Sequence, residues 1–193
     1  TAGLRLDYEK NWLDYNTSMI MNTMVKVGPM PAFPNSADVT LRGTLNKSTS
    51  VILPKFSIKY DMTAKHSIYA SVTKGHKAGG YNIQMFSDLV QEALKNKFSP
   101  SGTATPVDKA VSYQPEEAWN YEIGTRCEII PDHLNLDATF FYMNIRDLQL
   151  TKFVDSGNGR IIANAGKANS LGAEVSLNAK INPELSLDFN YGY

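Results

Sequence analysis

The sequence is poor in residues that commonly bind metals. Cysteine occurs once, as Cys127, so an internal disulfide is excluded. The three histidines, His66, His76 and His133, are scattered along the chain, and only Cys127 is available to join them. Because a protein metal site needs several such ligands close together, this pattern predicts no metal cluster, and no other pattern predicts a cofactor.

An excess of charge of one sign is also missing. Lysine and arginine together number 19, as do aspartate and glutamate, so the formal net charge is zero. Binding to nucleic acid relies on positive charge, and the sequence therefore does not indicate such a partner. No apolar run approaches the ~20 residues of a transmembrane helix. A membrane-spanning strand stays possible, because only every second residue of such a strand is apolar.

Catalytic and nucleotide-binding motifs are absent as well. The glycine-rich segment 75–80, "GHKAGG", is followed by "YNIQ" and lies in no strand–turn–helix unit of the dinucleotide-binding type. The segment 164–170, "NAGKANS", has Ala168 where a phosphate-binding loop needs serine or threonine. Glu116 and Glu117 are adjacent, so a strand would point them to opposite faces. The sequence predicts that the protein is not an enzyme.

The dominant feature is a period of two. Residues 172–181 alternate apolar and polar side chains, with Ala173, Val175, Leu177, Ala179 and Ile181 on one face and Glu174, Ser176, Asn178 and Lys180 on the other. The same alternation marks residues 4–9, 55–60, 119–129 and 185–193, and two further segments are strand-like with a less regular pattern. We therefore predict an all-β fold of about seven strands.

The connections between these strands alternate strictly in length. Residues 61–65, 130–133 and 182–184 are short turns, whereas about 10–52, 76–115 and 147–161 are long. In an antiparallel meander this places tight turns at one end and long loops at the other, which is typical of an outer-membrane β-barrel. A soluble β-sandwich, acting as a ligand-binding or adhesin-like module, also alternates and remains open. A passive pore or secretion barrel remains open too.

The long connections contain local patterns of their own. Residues 87–98 have helical spacing, with Ser87 as the expected N-cap. Residues 39–46 alternate and are expected to extend a strand beyond the membrane. Residues 17–33 are expected to form a methionine-rich loop that either packs against another loop or contacts a ligand. Gly79 and Gly80 permit a bend where a strand leaves the barrel rim. Trp119, Tyr121, Tyr191 and Tyr193 fit interfacial aromatic girdles.

The order of several segments resembles the C-terminal part of a TonB-dependent outer-membrane receptor. The segments are "GLRLDYE" (3–9), "LPKFSIKYD" (53–61), "IYASVTKGHKAGGYN" (68–82), "YQPEEAWNYEIGTR" (113–126), "LDATFFYMNIRDLQL" (136–150) and "NAGKANSLGAEVSLNAKINPELSLDFNYGY" (164–193). They cover the chain apart from about 10–50 and 83–112. The lysine, two glycines and "YN" after a "YAS" strand resemble the siderophore-type iron receptors, although His76 stands where an aromatic residue is commoner.

This resemblance implies a fold, a location and partners. It implies that residues 1–193 are part of a barrel of roughly 22 strands with a plugged lumen, the plug domain and the terminal strand being absent from them. It implies the outer membrane of a Gram-negative bacterium, contact with outer-membrane lipid, and import of an iron–siderophore or a similar bulky solute. It further implies energy coupling to TonB through the missing N-terminal region. The residues expected at the extracellular rim, and so as candidates for solute binding, are Lys74, His76, Lys77 and Tyr81.

Overall fold

The computed structural model describes residues 1–26, 28–98, 105–154 and 159–193. In chain order its elements are β1 (Ala2–Val25), β2 (Phe33–Asp61), β3 (His66–Lys77), β4 (Gly80–Tyr81), α1 (Met85–Phe98), α2 (Val107–Val111), β5 (Ser112–Tyr113), β6 (Glu116–Ile130), β7 (Leu134–Arg146), β8 (Gln149–Phe153), β9 (Arg160–Asn164), β10 (Lys167–Asn182) and β11 (Leu185–Gly192). Neither helix, within these described ranges, is long and apolar enough to cross a membrane.

Seven of the strands form one antiparallel sheet in the order β1-β2-β3-β6-β7-β10-β11. The sheet is a meander that curls as a half-barrel, which confirms the predicted fold class. Residues 62–65, 131–133 and 183–184 form the short turns at one end, as expected. A β-sandwich needs two sheets packed face to face, whereas the long strands of the described chain all belong to this single sheet.

One face of the sheet carries an exposed apolar band. A row of paired residues crosses five strands, and its members are Ile58, Ala70, Ile123, Phe140 and Ala173. The large side chains among them, those of 58, 123 and 140, are 70%, 60% and 63% exposed. The neighbouring row on the opposite face is mostly polar and runs through Ser57, Ser71 and Glu122. An apolar surface of this extent needs an apolar environment.

Aromatic side chains lie on the same apolar face, towards the long-loop end. The rings of Trp119 and Tyr121 stack with centroids 6.5 Å apart, and Tyr142 on the next strand lies 6.2 Å from Tyr121. Amphipathic rings of this kind are enriched where a membrane meets water. Their position fits the girdle predicted for Trp119 and Tyr121.

The expected long loop over residues 10–52 is wrong. β1 and β2 remain paired from Ala2↔Phe56 to Val25↔Phe33, so only residues 26–32 lie between the two strands. The predicted strand extension over 39–46 is confirmed, and it is part of this much longer hairpin. β1 has 24 residues and β2 has 29, whereas about 9–11 are enough for a strand to cross a membrane. More than half of the hairpin therefore rises above the level of the other strands.

The upper hairpin, from Leu13 to Val25 of β1 and from Phe33 to Leu45 of β2, packs apolar side chains against helix α1. In the lower part the large exposed apolar residues are even-numbered, as in Leu4 and Leu6, which are 74% and 69% exposed. In the upper part the apolar residues that pack against α1 are odd-numbered, whereas Ile20 and Met24 are exposed on the other face. The packed residues are Leu13, Tyr15 and Met19 of β1 with Ala37, Val39, Leu41 and Leu45 of β2. The helix buries Val90 and Leu94 completely or nearly so, at 1% and 0% exposure.

Helix α1 is confirmed, although it begins two residues before the predicted start. The Met85 N–H donates to the carbonyl of Asn82 at 3.1 Å, and the Ser87 N–H donates to the carbonyl of Gln84 at 3.3 Å. Ser87 therefore lies inside the first turn, and its assignment as N-cap is wrong. Its hydroxyl instead accepts a bond from the side-chain amide of Gln91 at 3.4 Å. The apolar spacing predicted the helix correctly, but the preceding turn decides where it starts.

The bend predicted at Gly79 and Gly80 is present. The chain leaves the long sheet after Lys77 and enters β4, which pairs with β5. A Cβ at position 79 would lie 2.7 Å from the carbonyl oxygen of Tyr113 and 3.0 Å from the nitrogen of Pro115. Both are backbone atoms, so the two chain segments approach too closely for any side chain at this position.

We expect Gly79→Ala to destabilise this junction by about 1–3 kcal/mol, because the added methyl group must displace backbone. Gly75→Ala is the matched control, since its Cβ would be 3.8 Å from the nearest atom. Chymotrypsin cleavage after Tyr81 and Tyr113 should accelerate at least about fivefold in the first variant only. Equal rates in the two variants would contradict this account of Gly79.

Candidate functional site

The long connections converge at one end of the sheet. Helix α1 packs on the upper hairpin, and Lys97 adds a bond from Nζ to the carbonyl of Asp38. Lys47 of the hairpin donates from Nζ to the carbonyl of Tyr113 at 2.7 Å. Asn11 of the hairpin donates from Nδ2 to the carbonyl of Gly79 at 3.3 Å. The hairpin and the segment between β3 and β6 therefore form one packed body.

Two of the predicted rim residues are lysines at the upper end of β3. The Nζ of Lys74 lies 2.9 Å from Oε1 of Glu117, and its side chain is only 16% exposed. Its charge is therefore already compensated. Lys77 is exposed and lies opposite Glu116 in the β3–β6 ladder. Of the two, Lys77 is the one whose ammonium group remains available at the surface.

His76 lies in a fork between β2 and β3. Their ladder ends at Lys55↔Thr73. The N–H of Ser57 points to β1, and the direction of the N–H alternates along a strand. The N–H of residue 54 would therefore point to β3. Because residue 54 is proline, it has no N–H to continue the ladder. The fork is an open cleft of about 380 Å³ lined by Leu6, Asp7, Tyr8, Glu9, Thr49, Val51 and His76. The imidazole Nδ1 is buried and, within the described part of the chain, has no hydrogen-bond partner.

Tyr81 is part of the loop core rather than the rim surface. Its ring packs against the buried cluster of Phe86, Leu89 and Val111 under helix α1. Burial raises the pKa of its hydroxyl, and Asp108 nearby raises it further. Burial likewise lowers the pKa of Lys47, an effect that Asp108 opposes. The structure thus places Tyr81 in a supporting role under the helix.

The four predicted rim residues therefore occupy separate surroundings: an ion pair, a fork, an exposed strand end and a packed core. The structure does not gather them into one pocket. The described residues also contain no group of three or more His, Cys, Asp or Glu side chains that could hold a metal ion. The four residues lie in a packed rim above the sheet, in which Lys47 and Asn11 of the hairpin bond to the segment between β3 and β6.

Three amide side chains that join the loops were missed in the sequence. Asn82 and Gln149 are buried, at 7% and 8% exposure, and Asn164 lies beside them. Asn82 bonds to the backbone of Ile162 in the next loop. In a single sequence a buried asparagine looks like one in a solvated turn, because its partners are backbone groups that carry no sequence signature.

The polar face of the sheet holds a shallow depression of about 300 Å³, lined by Tyr69, Asn120, Glu122, Thr139, Phe141, Met143 and Glu174. Tyr69 lies flat across Gly124, where a Cβ would come within 2.6 Å of its ring. Its hydroxyl reaches across β6 to Oγ1 of Thr139 on β7, at 2.7 Å. Glu122 accepts bonds from Asn120 at 2.6 Å and Ser71 at 3.3 Å. This face is therefore a hydrogen-bonded polar wall.

Comparison with known proteins places these features in a family. The family model described as "TonB dependent receptor-like, beta-barrel" matches residues 1–193. The pesticin receptor of Yersinia pestis is 27% identical over 191 residues, which is 98% of this chain and 22% of that protein. The chain thus spans about a fifth of the length of the curated relatives that it matches.

Two solved structures resemble the fold. The ferric yersiniabactin uptake receptor FyuA from Yersinia pestis has a TM-score of 0.60 and 26% identity, over 98% of this chain and 22% of that one. The Serratia marcescens hemophore receptor HasR, solved with its hemophore HasA and heme, has a TM-score of 0.58 and 14% identity, over 100% of this chain and 31% of that one. The second likeness concerns the fold alone.

The family is one of transporters rather than enzymes, and its members lie in the outer membrane of Gram-negative bacteria. The exposed apolar band therefore faces lipid, and the polar wall faces the lumen. The long connections lie outside the cell and the short turns in the periplasm. Family members bind siderophore or heme-type solutes and interact with TonB. The chain belongs to the TonB-dependent receptor family, and it forms part of that family's β-barrel.

Proposed function

We propose that this chain is part of an active transporter that imports an iron–siderophore or a similarly bulky solute across the outer membrane. The observation that carries the proposal is the likeness to the ferric yersiniabactin uptake receptor, which extends over 98% of the chain in both sequence and fold. The pesticin receptor of Yersinia pestis, which is similar in sequence, supports the same view.

The geometry fits such a role. A bulky solute needs a wide mouth that holds its shape, and the upper hairpin with helix α1 supplies a tall, packed wall there. Below it, the lumen is lined by the hydrogen-bonded polar face that includes Tyr69, Asn120 and Glu122. In a barrel of roughly 22 strands this lumen is closed by a plug. Passage of a large solute then requires that the plug rearrange, for which an energy source is needed.

The other parts of the transporter are proposed to lie outside these 193 residues. They are the plug domain, the N-terminal region that contacts TonB, and the terminal strand of the barrel. Within the chain, Lys77 and His76 are the proposed solute contacts at the rim, because their side chains reach the surface or an open cleft. Lys74 and Tyr81 are proposed to support the rim, since one is ion-paired and the other packed in the core.

Uptake of radioactive iron tests the proposal. A strain that lacks the gene for this receptor is complemented with the full-length receptor and given a panel of ferric siderophores under iron limitation. At least one ferric siderophore should accumulate in the complemented strain and not in the deletion strain.

A matched strain without TonB provides the control for energy coupling. In it the cells should bind the same siderophore without accumulating iron. Uptake that persists without TonB would indicate a passive pore. Failure to accumulate any ferric siderophore, with uptake of heme instead, would overturn the proposed solute class.

A further inference from the structure

The carboxamide of Asn82 links two extracellular connections. It follows β4 in the connection between β3 and β6, and its side chain is buried. Its Nδ2 donates to the carbonyl of Ile162 at 2.9 Å, and its Oδ1 accepts from the N–H of Ile162 at 2.8 Å. Ile162 belongs to β9, in the connection between β7 and β10. The side chain therefore imitates the backbone pairing of a neighbouring strand.

The backbone N–H and carbonyl of Asn82 also form hydrogen bonds. The Asn82 N–H donates to the carbonyl of Val111, at the end of α2, at 2.7 Å. Its carbonyl accepts from Met85, the first residue of α1, at 3.1 Å. One residue thus touches α1, α2 and β9 through four hydrogen bonds. Since α1 packs on the upper hairpin, Asn82 connects all three extracellular parts of the chain.

Two further amides make the same link a short distance away. Gln149 of β8 donates from Nε2 to the carbonyls of Ala78 at 2.7 Å and Gln114 at 3.1 Å. Asn164 of β9 accepts the N–H of Gln114 at 2.7 Å and donates to its carbonyl at 2.9 Å. Both side chains reach from the β7–β10 connection to the β3–β6 connection. We call Asn82, Gln149 and Asn164 the amide clamp.

The bonds of Asn82 and Gln149 resist opening because both side chains are buried, whereas the bonds between Asn164 and the exposed Gln114 lie nearer to water. A buried backbone N–H or carbonyl that loses its partner pays the full cost of desolvation, so the bonds tend to break together or not at all. An exposed bond would instead be replaced by water at little cost. The two connections are therefore expected to open as one cooperative unit rather than as independent loops.

We propose that the amide clamp makes residues 78–98, 105–115, 147–154 and 159–166 a single rigid unit, with Asn82 as its positioning residue. A contact that restrains the β3–β6 connection then also restrains the β7–β10 connection, and the reverse holds as well. The inference does not depend on which solute is imported, because it concerns only contacts within the chain.

Hydrogen exchange on the full-length receptor in detergent tests the clamp without any solute. Asn82→Ala should raise the exchange rates of α1 and of the β8–β9 ladder together, by about tenfold or more. Gln149→Ala, a change in the other connection, should raise the exchange rates of both connections as well. The exposed Asn16 on β1 provides the control, and Asn16→Ala should leave all these rates unchanged.

The β6–β7 ladder in the same samples serves as an internal reference for a folded barrel. If Asn82→Ala altered α1 alone, Asn82 would be a local support and the coupling would be refuted. Unchanged rates in both connections would refute the clamp itself. Asn82→Asp provides a second variant, since it keeps the acceptor but loses the donor to Ile162, and it should loosen both connections while preserving the side-chain volume.

Discussion

Arginine at position 70 should destabilise the receptor by about 2–4 kcal/mol in a lipid bilayer, because it places a charge in the hydrocarbon core. Ala70 lies at the middle of β3 in the apolar row, between Ile58 and Ile123 of the neighbouring strands. Those two neighbours are 70% and 60% exposed, so the position faces lipid directly. The free energy of unfolding is measured by urea titration of the receptor refolded into vesicles.

Ser71 is the matched control, since its side chain is also small but faces the lumen. Ser71 donates to Oε2 of Glu122 on the lumen face at 3.3 Å. Arginine there can pair with that carboxylate and reach water in the lumen, so Ser71→Arg should cost much less than Ala70→Arg. Equal losses at the two positions, or a larger one at 71, would reverse the assignment of lipid and lumen faces.

Leu94→Ala should detach helix α1 from the upper hairpin at a cost of about 2–5 kcal/mol, because it leaves a cavity in a closed core. Leu94 is fully buried among Val39, Leu41 and Val90. Trypsin reports the detachment, since Lys95 and Lys97 follow within the helix. Cleavage after these lysines should accelerate more than about 20-fold if it proceeds through the detached state.

Ser87→Ala is the control on the same helix. Ser87 is exposed and lies inside the first turn, so alanine there should leave cleavage unchanged or slow it slightly. If Ser87 capped the helix, its loss would instead cost about 1 kcal/mol. Faster cleavage of Ser87→Ala than of the wild type would therefore argue for the cap and against the start at Met85.

The strand period, the three tight turns and the likeness to the family can be predicted from the amino-acid sequence. The alternation can be predicted because side chains that face lipid are apolar, whereas those of the adjacent residues, which face the lumen, are polar. Two of the three turns can be predicted because Pro131 and Pro183 lack the backbone N–H that a continuing ladder would use. Helix α1 was readable from the spacing of Leu89, Val90, Ala93 and Leu94, although its start depends on the turn at Asn82.

The length of the first two strands and the bonds that join the extracellular loops depend on tertiary contacts. The alternation of β1 continues past Trp12, but above that residue the odd-numbered Leu13, Tyr15 and Met19 are the ones that pack against α1. One continuous strand therefore shows two different patterns in the sequence. Lipid contacts the apolar residues on the outer side of its lower part, whereas α1 contacts those on the inner side of its upper part. The amide clamp is hidden for a related reason. Asn82, Gln149 and Asn164 bond to backbone groups, and every residue offers a carbonyl, so nothing in the sequence distinguishes the partners that folding brings together.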